Sequence, residues 1–399
     1  MINLEELIQT LRTKVNIVNV IQQYIKLETK DNLYYYGVCP SCNNLLIVNK
    51  DKQMYFCFNC KSAGDVFLFL MNYNKWNYLQ TIEYLLKETK SKYTMDDVYK
   101  SFEVDEYKSI LDKMNLEAAK FFYIILRNSM GKEGMKYYTT NRKLSKETMY
   151  KFGLGFAPYG KNLLYKHLKN KGFTDDDLSK SGLVTYNEDG SVVDKFRHRV
   201  IVPIMDVNGK VIAFGGRLLG DGKPKYINSQ ETAVFDKGKT LFALNYAKDS
   251  KREGFILCEG YMDVISMHQA GFDNAIASLG TALTEKHAQL IKQYRDKVYL
   301  AYDSDGPGCE AAMRAIPILR SVGIEPKIIN MLPYKDPDEF IKELGIDAYA
   351  ERIEKALDAN SFIIEHYKEL LSKLDNSEAD DMERKSLMKK IAFVLSDDM

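Results

Sequence analysis

The sequence lacks the segments that mark a secreted or membrane-spanning protein. No uncharged apolar run approaches the roughly 18 residues that a membrane helix needs. The N-terminus, MINLEELIQTLR, carries two glutamates where a secretory signal peptide has an apolar segment. Internal repeats and low-complexity tracts are also absent. We therefore expect a globular, cytoplasmic protein that does not enter a membrane.

Net charge is also low, at +1 for 399 residues, which argues against a general affinity for nucleic acid. Positive charge is concentrated in one segment, because residues 195–252 hold 12 Lys or Arg against 5 Asp or Glu. This segment has no phosphate-binding P-loop. In AVFDKGKT, Ala233 stands where that motif requires its first glycine. The sequence therefore predicts a basic surface without an ATPase or helicase domain.

Cysteine is scarce, and the six residues present favour metal ligands or core positions over disulfides in a cytoplasmic protein. Four of them form two CxxC pairs separated by 14 residues in CPSCNNLLIVNKDKQMYFCFNC. Two such turns, joined by a hairpin, direct four thiolates at one tetrahedral Zn²⁺. Cys258 and Cys309 have no paired cysteine nearby and are interpreted as core residues. The predicted ligands of one structural zinc ion are Cys39, Cys42, Cys57 and Cys60.

Aromatic residues surround the cysteine pairs. They either pack the small ribbon or stack on unpaired bases of a nucleic acid, and the sequence leaves both interpretations open. These residues are Tyr34, Tyr35, Tyr36, Tyr55, Phe56 and Phe58.

Carboxylates follow apolar strand patterns in the C-terminal half of the chain. Glu259 comes directly after FILC, and Asp303 and Asp305 follow VYLAY. The carboxyl ends of parallel strands meet at one edge of a sheet, where ligands bind. A third acidic pair, Asp336 and Asp338 in YKDPDEF, follows a further strand pattern. Because neighbouring carboxylates repel one another unless a cation neutralises them, we predict a Mg²⁺ site shared by Glu259, Asp303 and Asp305.

The order of the apolar patterns predicts a multidomain α+β protein. FILC, AIAS, KVYLAY and PKIINML alternate with helical segments, as in a parallel sheet built from βαβ units. VNGK between two alternating runs predicts a β-hairpin. The predicted parts are a zinc-binding domain at 1–95 with its ribbon at 39–60, a linker at 96–109, a mixed α/β region at 110–251, a parallel-sheet subdomain at 252–345 and an all-helical tail at 346–399.

Together these motifs resemble those of the bacterial replicative primases of the DnaG family. The resemblance covers roughly residues 1–345. It implies a zinc ribbon followed by an RNA polymerase domain at 110–345, whose centre is a TOPRIM fold at 252–345. The motifs that carry it are CPSC…CFNCKSAGDVFLFLM, KFRHRVIVPI, VIAFGGRLL, PKYINSQETAVFDKGKTLFAL, CEGYMDVISMHQAG, ASLGTALTEKH, AYDSDGPG and KDPDEF.

The resemblance implies the synthesis of short RNA primers on single-stranded DNA from ribonucleoside triphosphates. It makes Glu259, Asp303 and Asp305 catalytic residues that hold two or more Mg²⁺ or Mn²⁺ ions. The residues that would complete the acidic cluster are Asp263, Asp336 and Asp338. The residues that would face the nucleotide and the template are Arg197, Arg199, Arg217, Lys225, Asn228 and Lys237.

Two features depart from the family pattern. Cys42 stands where the family ribbon commonly has a histidine, although four cysteines still suit zinc. The family usually ends in a larger helicase-binding domain, whereas residues 346–399 provide only a helical tail in which that domain would be missing or truncated. We therefore expect a monomer that couples weakly or not at all to a DnaB-type replicative helicase.

Two other functions remain open from the sequence. One is a different TOPRIM enzyme, a topoisomerase or a nuclease, although a topoisomerase needs a further gate-forming region that 399 residues scarcely allow. The other is a non-catalytic zinc-ribbon DNA-binding protein with an inactive TOPRIM domain. That alternative does not account for the presence of all the acidic residues, so we favour a DNA primase.

Overall fold

The computed structural model describes residues 4–374 and 378–397. It divides into two compact units, the first ending at Tyr107 and the second beginning at Lys108. Within the described ranges, no helix is both long enough and apolar enough to cross a membrane.

The first unit contains a five-stranded antiparallel sheet, in which the strands follow one another in chain order. Leu46 and Val48 alternate with more exposed residues along one strand and face the buried core. The strands are β1 (Glu28–Thr29), β2 (Tyr34–Val38), β3 (Leu45–Asn49), β4 (Met54–Cys57) and β5 (Ala63–Gly64). The helices are α1 (Leu4–Lys14), α2 (Ile17–Gln22), α3 (Val66–Asn74) and α4 (Tyr78–Glu88).

The predicted linker at 96–109 contains the boundary between the two units and is helical. It belongs to a 32-residue helix, α5 (Met95–Leu126). Thr94 and Asp97 cap the start of this helix, since the Thr94 N–H donates to the Asp97 carboxylate at 2.9 Å and the Asp97 N–H donates back to the Thr94 hydroxyl. Val98 is fully buried in the first unit's core. The polar composition of this stretch therefore reflects the exposed face of a helix.

The second unit begins with a four-stranded antiparallel sheet of order β11-β10-β9-β6. The predicted VNGK hairpin connects its two longest strands, β9 and β10. The strands are β6 (Gly155–Ala157), β7 (Val184–Tyr186), β8 (Val192–Asp194), β9 (Arg199–Met205), β10 (Val211–Leu218) and β11 (Tyr226–Asn228), of which β7 and β8 form a separate hairpin. The helices are α6 (Lys132–Lys136), α7 (Lys146–Lys151), α8 (Leu163–Asn170), α9 (Asp175–Lys180) and α10 (Leu244–Ala247), with a 3₁₀ turn at Ser129–Gly131 and a π-helical turn at Tyr137–Asn141.

A second sheet of the same unit has the order β13-β12-β14-β15-β16 and is parallel over its first four strands. This is the predicted parallel-sheet subdomain, and with the antiparallel sheet it confirms the mixed α/β architecture. The strands are β12 (Phe255–Cys258), β13 (Ala275–Ala277), β14 (Val298–Ala301), β15 (Lys327–Ile328) and β16 (Leu357–Asp358). The helices are α11 (Tyr261–Gln269), α12 (Glu285–Tyr294), α13 (Gly306–Arg320) and α14 (Pro337–Leu344).

Strand β12 is apolar throughout because both of its faces are covered. Ile256 and Cys258 pack in one hydrophobic core, whereas Phe255 and Leu257 pack in another on the opposite face. Cys258 is thus a core residue, as predicted, while Cys309 is half-buried at the start of α13. Burial on both faces is typical of a central parallel strand, and it leaves Glu259 as the first charged residue at the strand end.

The tail from residue 346 was expected to be all-helical, but it contains a strand. Strand β16 pairs antiparallel with β15 and extends the sheet. The last strand residue, Asp358, then accepts a hydrogen bond from the Ser361 N–H at 2.8 Å and caps the next helix. The helices of this region are α15 (Ile346–Glu354), α16 (Ala359–Ser372) and α17 (Glu378–Asp397), and residues 375–377, 398 and 399 of the predicted tail lie outside the described residues.

Candidate zinc centre and active site

The two CxxC pairs lie in two turns with the same backbone pattern. In the first, the Asn43 N–H donates to the Cys39 carbonyl at 2.8 Å. In the second, the Lys61 N–H donates to the Cys57 carbonyl at 3.0 Å. Asn43 and Lys61 both adopt a left-handed conformation, with φ of 56° and 61°. The repeated geometry turns both cysteines of each pair toward the same point.

The four thiol groups form a compact cluster. Cys39 Sγ lies 3.7 Å from Cys60 Sγ, and Cys42 Sγ lies 3.5 Å from Cys57 Sγ. All four sulfurs lie within 4.8 Å of one another. Four sulfurs bound to one tetrahedral Zn²⁺ at about 2.3 Å are separated by about 3.8 Å, so the cluster fits that ion. The predicted zinc ligands are therefore brought together, and they form a closed site.

The surroundings of Cys42 favour a thiolate. The Asn44 N–H is the largest influence and lowers the pKa of Cys42 to about 6, with the Asn59 side chain acting in the same direction. Burial has the opposite effect at Cys39 and raises the pKa of that thiol. Zinc binding requires deprotonated cysteines, so these surroundings suit Cys42 to the role of a zinc ligand.

The aromatic residues of the ribbon divide between packing and exposure. Tyr55 is buried and contacts Phe69 edge to face, with 5.5 Å between ring centroids. Tyr34 and Phe58 are exposed, and Phe58 also contacts Phe56 at 4.7 Å. Packing is therefore confirmed for Tyr55, while stacking on bases stays a prediction for the exposed Tyr34 and Phe58.

The predicted acidic residues lie at the carboxyl ends of neighbouring parallel strands. Glu259 follows β12, and Asp303 follows β14 after one intervening residue. The Asp303 N–H donates to Glu259 Oε1 at 3.0 Å. Asp305 caps α13 by accepting from the Gly308 N–H at 3.0 Å. Only glycine fits at 308, because a Cβ there would lie 2.1 Å from the Asp303 carbonyl oxygen and 2.8 Å from Glu259 Oε1.

Lys335, which the sequence does not indicate as a site residue, joins two of these carboxylates. Its Nζ lies 3.2 Å from Asp303 Oδ2 and 3.3 Å from Asp305 Oδ2. The pair with Asp303 is the main reason that the pKa of Lys335 is raised. The position is therefore one in which a cation contacts both carboxylates, as a hard divalent ion also would.

The remaining predicted acidic residues lie in two different environments. Asp263, in the first turn of α11, and Asp336, at the N-terminus of α14, line the same cleft as Glu259. Asp338 does not share this environment. It is buried, and its Oδ2 contacts Arg142 Nη1 at 3.0 Å and Lys342 Nζ at 2.7 Å. The structure therefore gives Asp338 two cationic partners from the chain itself.

Burial and repulsion between neighbouring carboxylates raise the pKa of two acidic side chains in the cleft. Burial, followed by the nearby Asp303, raises the pKa of Glu259. Burial also raises the pKa of Asp263 to about 7, with Asp336 as the next cause. Within the described residues, the four cysteines form the one group of three or more potential ligand residues close enough together to hold a metal ion, and the cleft carboxylates do not form such a group. The Mg²⁺ site at Glu259, Asp303 and Asp305 therefore stays a prediction.

Basic and polar residues form the facing side of the cleft, whose volume is about 660 Å³. Lys225 and Lys237 line it, together with Arg142. Asn228 is fixed in orientation, because its Nδ2 donates to the Leu279 carbonyl at 2.8 Å. Arg142 was not predicted as a site residue, since it lies in a separate polar segment before the antiparallel sheet.

The three remaining predicted arginines differ in their contacts. Arg197 is exposed. Arg217 places its guanidinium 4.6 Å from the centre of the Tyr137 ring. Arg199 is only 7% exposed and donates to the backbone carbonyls of Gly216, Pro224 and Lys225 at 3.0–3.2 Å. Its guanidinium therefore holds the loop before β11, and a direct contact of Arg199 with nucleotide or template stays a prediction.

Comparison with known proteins finds families and solved structures to which this chain is similar. Three family profiles match consecutive parts of the chain. They are described as CHC2 zinc finger at residues 3–101, DNA primase catalytic core, N-terminal domain, at 121–248, and Toprim-like at 256–341.

A solved structure extends the match to nearly the whole chain. The Aquifex aeolicus primase, represented by its zinc-binding and RNA polymerase domains, is 30% identical with a TM-score of 0.60, and the alignment covers 98% of this chain and 96% of that one. The chain belongs to the DnaG primase family. A structure of the DnaG primase catalytic domain bound to ssDNA is also 30% identical, with a TM-score of 0.62 over 73% of this chain and 94% of that one.

Curated relatives of the family are longer than this chain. A protein from Clostridium acetobutylicum named DNA primase is 39% identical over 360 residues, which cover 88% of this chain and 59% of the relative. The DNA primase of Halalkalibacterium halodurans is 35% identical over 91% of this chain and 61% of its own length. The chain therefore spans about 60% of the length of these two relatives.

Proposed function

We propose that this chain is a DNA primase, which synthesises short RNA primers on single-stranded DNA from ribonucleoside triphosphates. The observation that carries the proposal is one cleft that holds Glu259, Asp303 and Asp336 together with Lys225 and Lys237. Nucleotidyl transfer requires carboxylates for divalent cations and positive groups for phosphate. Membership of the DnaG family and the likeness to a catalytic domain bound to ssDNA support this assignment.

Two or more Mg²⁺ or Mn²⁺ ions would be held by Glu259, Asp303 and Asp305, with Asp263 and Asp336 nearby. When bound, these ions supply positive charge at the attacking 3′ oxygen and at the leaving pyrophosphate. The hydrogen bond from the Asp303 N–H fixes Glu259 Oε1 and leaves Oε2 available to a cation. No covalent nucleophile from the protein is needed in this reaction.

The basic residues of the cleft would bind the substrates. Lys225 and Lys237, which line the cleft, would contact the triphosphate, while the exposed Arg197 would contact the template backbone. Asn228 also lines the cleft and would lie beside the nucleotide, with its amide nitrogen bound to the Leu279 carbonyl and its Oδ1 buried. Arg199 acts through the loop that carries Lys225, because it donates to the carbonyl of that residue.

The zinc ribbon would contact the unpaired template. Tyr34 and Phe58 are exposed aromatic residues on the same apolar face, which Met54 also lines. Aromatic rings on a surface stack on bases with little dependence on base sequence. Zinc has a structural role in this proposal, since four thiolates leave no open coordination position for chemistry.

The decisive experiment is incubation of the protein with single-stranded DNA, labelled ribonucleoside triphosphates and Mg²⁺. A primase yields labelled oligoribonucleotides that disappear when the template is omitted. Cleavage or relaxation of added DNA without such products would instead indicate another TOPRIM enzyme. Retention of DNA with neither product would indicate a binding protein, and either result would overturn the proposal.

A further inference from the structure

Lys335 is a cation that the chain supplies to its own acidic cleft. Its ammonium contacts Oδ2 of both Asp303 and Asp305, at 3.2 and 3.3 Å. Glu259 lies beside this pair through its hydrogen bond with the Asp303 N–H. One positive charge therefore lies among three carboxylates that would otherwise repel one another.

The backbone fixes Lys335 at this point of the fold. The Ser304 N–H, between the two aspartates, donates to the Lys335 carbonyl at 2.8 Å. The Lys335 N–H donates to Glu339 Oε2 at 2.8 Å, in the first turn of α14. The residue is thus tied both to the loop that carries the carboxylates and to the next helix. Its side chain is 57% exposed and can leave the carboxylates without moving that loop.

We propose that Lys335 is a tethered counter-ion, which holds Asp303 and Asp305 in the metal-free protein and is displaced when a divalent cation binds them. This inference rests on the proposed function, because it takes both aspartates as metal ligands. An ammonium and a divalent ion that share the same carboxylate oxygens repel each other strongly at contact distance. Lys335 is therefore a positioning residue that competes with the metal for the site.

If Lys335 competes with a divalent cation for the two aspartates, removing its charge should raise metal affinity. This change can be measured without catalytic turnover. In the zinc-loaded protein of 399 residues, Mn²⁺ binding is followed by the electron paramagnetic resonance signal of the free ion. Lys335→Met keeps the aliphatic chain but removes the charge, so it should bind Mn²⁺ at least about threefold more tightly than the wild type. Lys335→Arg retains the charge and should stay within about twofold of the wild type.

A second lysine of the same cleft, Lys237, serves as a control. It distinguishes displacement of Lys335 by the metal from the general effect of removing a positive charge from the cleft. Lys237 also lines the cleft, but its backbone makes the hydrogen bonds that hold it. Its N–H donates to Glu231 Oε1, and its carbonyl lies at hydrogen-bond distance from His287 Nε2. Lys237→Met removes the same charge and should increase Mn²⁺ affinity less than Lys335→Met does. Without added divalent cation, Lys335→Met should also melt at a lower temperature than the wild type, and saturating Mg²⁺ should close that gap.

Equal Mn²⁺ affinity in the wild type and Lys335→Met would overturn the inference, and so would an equal gain in Lys237→Met. Asp303→Asn provides the reference for binding at this site. If the wild type has no Mn²⁺ site that Asp303→Asn removes, the proposed metal centre fails and the inference fails with it. If instead the wild type has such a site and its Mn²⁺ affinity is unchanged in Lys335→Met, the inference fails and the proposed metal centre stands.

Discussion

Asp303 donates its backbone N–H to the side chain of Glu259 at 3.0 Å, which joins the ends of two parallel strands where both become acidic. The strands are in register up to this point, with Cys258 opposite Ala301. The register brings the two acidic side chains to one edge of the sheet, where open α/β sheets bind their ligands. The acidic cluster is therefore a direct consequence of strand pairing.

Zinc should be present at one ion per chain and should depend on Cys42. Cys42→Ala removes one of four thiolates and should lower both the zinc content and the melting temperature, since structural zinc contributes to folding. Cys42→His, the matched control, replaces one zinc ligand by another and should retain the metal. Metal analysis after gel filtration measures the content. Full zinc content in Cys42→Ala would show that the cluster is not the site.

Arg199 and Lys225 should differ in what their removal affects. Arg199→Ala leaves three backbone carbonyls without their buried donor, so unfolding should become easier by about 2 kcal/mol. Lys225→Ala removes an exposed side chain and should change stability by less than about 0.5 kcal/mol. It should weaken binding of DNA or nucleotide and reduce the salt dependence of that binding. Urea unfolding and binding titrations across a salt series test both expectations, and the reverse pattern would contradict them.

Asp338 should contribute to stability more than to metal binding. Asp338→Asn leaves Arg142 and Lys342 without their shared carboxylate and should destabilise the protein by about 2 kcal/mol. Glu351→Gln disrupts the exposed pair with Lys355 and, as the control, should cost less than about 0.5 kcal/mol. Urea unfolding gives both values. Unchanged stability in Asp338→Asn, combined with weaker Mn²⁺ binding, would place this carboxylate in the metal site after all.

His268 should make the fold sensitive to mild acid. Its Nε2 lies 2.9 Å from the Ala275 carbonyl oxygen and its Nδ1 lies 3.0 Å from Lys151 Nζ, which together favour a neutral ring that donates from Nε2. Burial is the main cause that lowers the pKa of His268 to about 4. The unfolded chain therefore binds this proton first, so stability should fall as pH decreases from about 6.5 toward 4.

His268→Gln should reduce this part of the pH dependence. Glutamine retains a donor for the Ala275 carbonyl but has no group that titrates in this range. Melting temperatures of both proteins across the pH range provide the measurement. Equal slopes in the two proteins would mean that other groups cause the acid sensitivity.

The sequence was sufficient for features that depend on local spacing. Two CxxC turns identified the four cysteines whose sulfurs lie together, and the apolar run FILC coincides with strand β12 and puts Glu259 at its end. The VNGK turn gave the β9–β10 hairpin. In each case, the residues that determine the local geometry are close together in the chain, so the sequence pattern was enough to predict the turn or the strand.

Features that depend on distant partners could not be predicted in this way. From the sequence, Arg199 is one cation of a basic segment. In the structure, its guanidinium donates to backbone carbonyls of residues that follow it by 17–26 positions in the chain. Asp338 accepts a hydrogen bond from Arg142, which precedes it by 196 positions in the chain. The polar stretch at 96–109 has apolar residues such as Val98 too sparsely to reveal the buried side of its helix. Charge alone gives no indication of which cations are buried and paired.

The central claim is that the carboxylates of this cleft support template-directed RNA synthesis. It is tested most directly by comparing wild-type protein with Asp303→Ala and Glu259→Gln on single-stranded DNA, with labelled ribonucleoside triphosphates and Mg²⁺. The wild type should yield short oligoribonucleotides complementary to the template. Both variants should fold, because removing one charge relieves repulsion, and neither should yield product. Undiminished synthesis by Asp303→Ala, or no template-dependent RNA from the wild type, would contradict the claim.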